Sequence, residues 1–403
     1  MENRDGDLGS EIVGLVYDKY HSLKQSGKPQ DHEWTVLSSI VEERNGSKRV
    51  IVLTTGTKCI GATSLSPQGF IVNDCHAEIL SRRGFILYLM EQLKLCKENP
   101  EDDTIFTCKS DSNKYCLKEG IRYHMYISQS PCGYASEYFE EDAKRKALEI
   151  SNAKVRLSKR RCLEQHIAEE STHRTGAKFE TGNSIYLSTK PGRGDPSRSY
   201  SCSDKLCMYN HLGYQGGLLT NLIEPIFMSS ITISGPWDEK RMREALFDRI
   251  SSDQVSFKGS VPVLYHSTNP SPFSAEEVMK HLNGKKLAAS GSSLIWIVPN
   301  HQEVLISGKG VRLGTNVKKE IQKKNTSMVC PSSLLSRYLS LISCDSDSCS
   351  MWSLKQNAVA YQKLKCHLFS GWKRKDRSLL SFCNCFLYKD QNRLSPSTHS
   401  LIG

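Results

Sequence analysis

Three short stretches carry most of the chemistry in this chain: His76-Ala77-Glu78, Pro131-Cys132-Gly133 and Ser201-Cys202-Ser203-Asp204-Lys205. One imidazole and two thiolates make a three-ligand zinc set whose fourth position stays open for water. Zinc lowers the pKa of such a water towards neutrality. A carboxylate close by, but off the metal, can then move protons. His76, Cys132 and Cys202 supply the donors, with Cys207 as the near rival of Cys202, and Glu78 stands two residues past the histidine.

These residues are far apart in sequence, so secondary structure must bring them together. Residues 50–55 are rich in branched side chains and read as a buried strand ending at Gly56; residues 69–72 read as a shorter strand. Asn73 and Asp74 are good helix N-caps, and Ile79, Ile86, Met90 and Leu93 mark the apolar face of the helix that follows. Residues 104–119 read as an edge excursion before a strand at 121–128. A second helix is expected from Cys132 to about residue 150. Both motifs then sit where a strand feeds a helix start. There the unpaired N–H groups and the helix dipole stabilise a thiolate. Neighbouring helix starts bring His76 and Cys132 to one point. Cys75, next to the histidine, is expected to point into the core.

Downstream, residues 190–196 can only be a loop, and 218–233 read as a helix running into a strand. Residues 293–298 and 303–307 read as a hairpin, and 357–369 as a late helix. Strands alternating with helices predict an α/β fold.

The His-x-Glu and Pro-Cys pair is part of the signature of zinc-dependent nucleobase deaminases, in which Glu78 would shuttle a proton from water to the base and then to departing ammonia. The usual second thiolate lies three residues past the first, where this chain has Ala135. It must come from elsewhere, and Cys202 is 70 residues on.

The formal charge of +11 is unevenly spread. Residues 309–375 hold thirteen Lys or Arg against three acids, and residues 154–205 hold eleven against six. Such segregation favours a polyanionic partner, with RNA the first candidate. Fifteen cysteines, a polar N-terminus unlike a signal peptide and no long apolar run predict a soluble intracellular protein with reduced thiols, in the nucleus, the cytoplasm or both.

Thr54-Thr55-Gly56-Thr57-Lys58-Cys59-Ile60, Asn73-Asp74-Cys75-His76-Ala77-Glu78-Ile79, Arg82-Arg83, Ser130-Pro131-Cys132-Gly133 and Ser201 to Lys205 stand in the order that adenosine deaminases acting on RNA show. Asn221-Leu222-Ile223-Glu224-Pro225-Ile226 resembles that family further downstream. The resemblance is nearest to its tRNA-specific branch in eukaryotes. It implies a cytidine-deaminase-like α/β core, a mixed sheet flanked by helices, elaborated into one large domain at residues 12–385 between tails at 1–11 and 386–403. It also implies Cys202 as the third ligand, Glu78 as the catalytic residue, and conversion of adenosine to inosine just 3′ of the anticodon in alanine tRNA. With about a dozen residues ahead of the expected domain, a double-stranded-RNA-binding module is not expected, nor is an obligate protein partner. A double-stranded-RNA deaminase and a catalytically silent RNA-binding homologue are the alternatives.

The family further implies a buried inositol hexakisphosphate. Its counterparts here are Asn73, Ile79, Arg82, Arg83 and Lys205, joined by Lys355, Tyr361, Lys365, Trp372 and Lys375. The chain departs from the family at Met208 and Tyr209, where relatives carry Arg and Trp. Thr57 and Lys58 resemble residues that touch the extruded nucleotide and its phosphate.

Overall fold

A computed structural model describes residues 5–100, 103–108, 114–137, 178–180, 186–191, 195–250, 261–282, 284–344, 349–369 and 376–383. Strand β1 (Leu37–Arg44) turns through Asn45-Gly46 into β2 (Ser47–Thr55), and Arg44 pairs with Ser47. Asn-Gly between two alternating runs is the strongest short hairpin signal, because its turn twists with the strands. β1 is buried along seven of its eight residues, which places it in the middle of a sheet.

Two further short strands, β3 (Thr57–Cys59) and β4 (Asp74–His76), pair antiparallel beside that sheet. The large sheet is completed by β5 (Ile121–Ile127), β6 (Ser230–Ser234), β7 (Val263–Ser267), β8 (Ser292–Ile297), β9 (His301–Ile306) and β10 (Val311–Arg312). Its order is β7-β6-β5-β1-β2-β8-β9-β10, parallel from β7 to β5 and antiparallel across the rest.

Both faces are covered. Helix α1 (Asp5–Ser22) lays Ile12, Val16 and Tyr20 against Leu37, Val41, Leu53, Tyr126 and Trp296. On the opposite face α2 (Ala77–Glu98) joins Leu80, Phe85, Leu89 and Leu93 to the core around Ile40, Val52 and Met125. The fold is thus the expected α/β sandwich of a mixed sheet between helices. α1 begins at Asp5, seven residues ahead of the boundary expected at residue 12.

Several elements differ from expectation. Residues 69–72 form bends and irregular backbone, held by Val72 N donating to Gly310 O at 2.9 Å and Ser332 N donating to Gly69 O at 3.0 Å. The short strand lies instead at Asp74–His76, because those residues pair with β3. That pairing delays the helix, so His76, and neither Asn73 nor Asp74, takes the N-cap position of α2. The apolar run at 218–233 splits into a one-turn helix, Gly216–Leu219, and β6, since Pro225 lies between them. The hairpin is present as β8 and β9, and the late helix as Val359–Leu368. The helix after Cys132 is present at residues 134–137, and the remainder of that expectation lies outside the described residues.

Buried between β5 and its neighbours, His124 faces the Ser230 hydroxyl at 2.8 Å and Glu43 at 2.9 Å. Burial lowers its pKa from the usual imidazole value, outweighing Glu43. The unfolded chain therefore binds a proton at a higher pH than the folded one. Stability is fully present above the unfolded value of about 6.5 and falls as pH drops through the folded value. A urea titration across that range is expected to show this slope, and His124→Gln is expected to flatten it.

Candidate active site

The three proposed ligands start from three different helix beginnings. His76 ends β4 and precedes α2. Cys132 lies in the turn between β5 and residues 134–137. Cys202 opens helix α3 (Cys202–Leu212), whose N-cap Ser201 accepts from Asp204 N at 3.1 Å.

The sequence holds each in place by local contacts. Ala77 N donates to Gly56 O at 3.0 Å, fixing the helix start against the end of β2. Gly56 adopts φ +148°, and a Cβ there would sit 2.0 Å from Cys75 O, so only glycine lets that strand end pass beside the histidine. Ser203 stitches the two cysteine loops together. Its hydroxyl donates to Pro131 O or Cys132 O, each at 3.1 Å, and accepts from Ala135 N at 3.1 Å. Cys202 N meets Cys132 Sγ at 3.4 Å.

The resulting donor atoms all lie within 4.8 Å of one another. His76 Nδ1 is 3.8 Å from Cys132 Sγ and 3.5 Å from Cys202 Sγ. Tetrahedral zinc with its ordinary sulfur and nitrogen bond lengths separates such ligands by about 3.5–3.8 Å. The donor set and its spacing therefore fit zinc, with one position left over. Cys207 is not in that group; its sulfur lies by His211.

Glu78 provides an independent indication. It is 3% exposed, in the first turn of α2, and its Oε2 has no hydrogen-bond partner among the described residues. A buried carboxylate oxygen left unsatisfied is costly, and a reactive water is the sort of partner that removes the cost. Thr57 sits opposite His76 in the β3–β4 register, and its hydroxyl is likewise buried without a partner among the described residues. Lys58 lies opposite Cys75, whose buried thiol faces Val72 O as a core group.

The electrostatics favour anionic sulfur. A hydrogen bond from Cys202 holds the Cys132 thiol well below its ordinary value against burial, helped by the Lys190 ammonium and His76. Burial pushes its partner Cys202 well above. A bound divalent cation displaces the remaining proton, since thiolates are the ligating form.

Two residues behind this site were hidden in the sequence. Asp74 receives Lys190 Nζ at 2.8 and 3.0 Å, Ser199 Oγ at 2.8 Å, Lys205 Nζ, and the backbone N of His76 at 3.1 Å. Burial opposes its charge, yet Lys190 and Lys205 hold its pKa well below the usual carboxylate range. Lys190 is 2% exposed; burial opposes its charge too, but Asp74, Cys202, Cys132 and Glu78 keep its pKa well above normal. In sequence Lys190 was one cation in a Pro-Gly loop. No spacing marked it.

On the far side of Asp74 lies a cavity of about 320 Å³. Asn73, Ile79, Arg82, Arg83, Lys205, Lys355, Tyr361 and Lys365, all expected there, line it; Trp372 and Lys375 lie outside the described residues. Arg198 joins them, making six basic side chains against one carboxylate, Asp74. Like charges so enclosed repel strongly unless an anion sits among them, so the lining fits a polyphosphate. Tyr209, where the chain departs from the family, packs its ring 4.3 Å from the Arg82 guanidinium, whose Nε donates to Tyr214 O at 2.9 Å.

Gly133 tests how tightly the thiolates are set. It has φ +94°, and a Cβ would lie 2.4 Å from Ser201 Cβ. Gly133→Ala is expected to force the two cysteine loops apart and cost about 1–3 kcal/mol of stability, with metal content falling well below stoichiometric by elemental analysis. An alanine variant that keeps full metal would show that the loops tolerate separation.

Comparison with known proteins agrees with this geometry. The family model for the adenosine-deaminase (editase) domain matches residues 52–377. A tRNA-specific adenosine deaminase 1 of Drosophila melanogaster is 38% identical over 229 positions, covering 55% of this chain and 54% of the relative. The Mus musculus protein of the same name is 30% identical over 417 positions, covering 77% and 83%. A double-stranded RNA-specific adenosine deaminase of Rattus norvegicus is 29% identical over 262 positions, covering 62% of this chain and 21% of the relative. The chain thus spans about half the length of the fly protein and a fifth of the rat one. Among the described residues no helix is long and apolar enough to cross a membrane. A family match across all three ligand motifs, on a site with the matching donor geometry, means that this chain belongs to the adenosine-deaminase (editase) domain family.

Proposed function

We propose that the chain is a zinc-dependent hydrolytic deaminase that converts adenosine to inosine in tRNA, at the adenosine just 3′ of the anticodon in alanine tRNA. The observation that carries the chemistry is the buried Glu78 Oε2, without a hydrogen-bond partner among the described residues and close enough to Cys202 to act on its thiol, next to the His76, Cys132 and Cys202 donors. The tRNA reading is supported by the names of the fly and mouse relatives, the latter matched over 83% of its length.

His76, Cys132 and Cys202 would hold the zinc, which when bound would make water acidic enough to react near neutral pH. Glu78 Oε2 takes the proton from the attacking water and passes it to the adenine N1 as oxygen adds at C6. Glu78 then takes the proton of the new C6 hydroxyl and delivers it to the exocyclic amine; the C6–N bond breaks, C6=O forms and ammonia leaves, so one water is consumed for each ammonia released. Thr57 and Lys58 contact the extruded nucleotide. Extrusion from a single-stranded loop costs less than from a duplex. Asn73, Ile79, Arg82, Arg83, Lys205, Lys355, Tyr361 and Lys365 would hold inositol hexakisphosphate in the cavity they line. The resemblance adds Trp372 and Lys375, which lie outside the described residues, and sets the deaminase unit at residues 12–385, ahead of which α1 begins at Asp5. A silent RNA-binding homologue would have no use for Glu78, which is present.

Incubation of the purified chain with alanine tRNA and, separately, with a long RNA duplex tests the reading. Sequencing is expected to find inosine 3′ of the anticodon and none in the duplex, with one zinc and one inositol hexakisphosphate per chain by elemental and phosphate analysis. Inosine in the duplex alone would overturn the tRNA assignment.

A further inference from the structure

A flat ring pair stands at the edge of the sheet from which the Cys132 loop departs. β5, β6 and β7 run parallel, so their carboxyl ends lie together, the position where α/β sheets bind ligands. Ile127, Ile233 and His266 share one row of the register. His266 is therefore two strand spacings, about 10 Å, from the end of β5. The Ser130 hydroxyl donates to Pro236 O, tying the Cys132 loop to the residue just before Trp237. The Trp237 and His266 rings stack with centroids 5.0 Å apart and an interplanar angle of 9°. Trp237 packs against the core, whereas His266 is exposed. The imidazole is held in plane by Nε2, which donates to Gly235 O at 3.1 Å.

We propose that the Trp237–His266 stack is a platform for the nucleobase adjacent to the target adenosine in the RNA substrate, an inference that rests on the RNA-deaminase reading above. Single-stranded RNA is held by stacking its splayed bases on aromatic rings. Extruding one base leaves its neighbour without a stacking partner. A parallel ring pair with its outer member exposed, beside the reactive centre, supplies the missing partner. Because every base has a π face, the platform positions the strand without choosing its sequence.

The test uses the zinc-loaded full chain and a synthetic anticodon stem-loop RNA. Wild type is expected to deaminate it, and His266→Ala to raise KM about tenfold with kcat unchanged. His266→Phe is expected to restore the wild-type KM. His266 is exposed, so these variants fold; Trp237→Ala serves as a second variant, checked for metal content. RNA with an abasic site on each side of the target in turn locates the contact. On one side the abasic RNA loses about tenfold with wild type and nothing further with His266→Ala. Losses that add, or a KM unchanged in every variant, overturn the platform while leaving the deaminase reading intact. A wild type that makes no inosine in the intact RNA overturns both.

Discussion

Glu78→Ala is expected to retain zinc and to lose inosine formation by about 10³-fold or more, since general acid–base catalysis by a placed side chain contributes roughly 10²–10⁴-fold and the proposed mechanism gives this one carboxylate two proton transfers. The residue is not among the three donors and sits buried beside them, so its loss leaves the ligand set whole. Metal content by elemental analysis and inosine by sequencing are read on the same sample. A variant that still deaminates at the wild-type rate would remove Glu78 from the proton path. One that loses its zinc would instead place the residue on the metal.

The second large effect is expected at Lys190. Lys190→Met keeps the stem and removes a buried ammonium that faces Asp74, the two cysteines and Glu78. Breaking one side of a buried ion pair costs about 3–5 kcal/mol, because the remaining charge is left uncompensated. Lys205 and Ser199 still contact Asp74, so the lower end, about 3 kcal/mol, is expected. Adding Asp74→Asn is expected to recover none of that loss, because Lys205 then loses its carboxylate partner. Urea unfolding of the two variants decides it. A single variant as stable as wild type would mean that Lys205 alone satisfies the carboxylate.

The grouping of His76 with Cys132 was legible because it depends on rare residue types in fixed local order, a histidine two before a glutamate and a Pro-Cys-Gly at a strand exit, whereas Cys202 over Cys207 came from the family resemblance. The strand read at residues 50–55, observed from Ser47, and the hairpin of β8 and β9 were legible from branched residues bounded by Gly56 and by Pro299-Asn300. The true start of α2 was not. Asn73 and Asp74 have the right side chains for caps, but pairing across to Thr57–Cys59 is a long-range contact that local propensity does not contain. Lys190 was missed for the same reason, since its meaning comes from Asp74, 116 residues away. The helix at Asp5–Ser22 carries Ile12, Val16 and Tyr20 spaced four apart, although its first seven residues were assigned to a tail.

The three donors come from three helix starts separated by 56 and 70 residues of chain. A metal bound there is also a clasp. It closes two long loops that the unfolded chain leaves open, and at a thousandfold over its dissociation constant a native-only ligand adds about 4 kcal/mol to folding. Loading and folding would then be one equilibrium, and removing the metal is expected to lower rigidity along with reactivity.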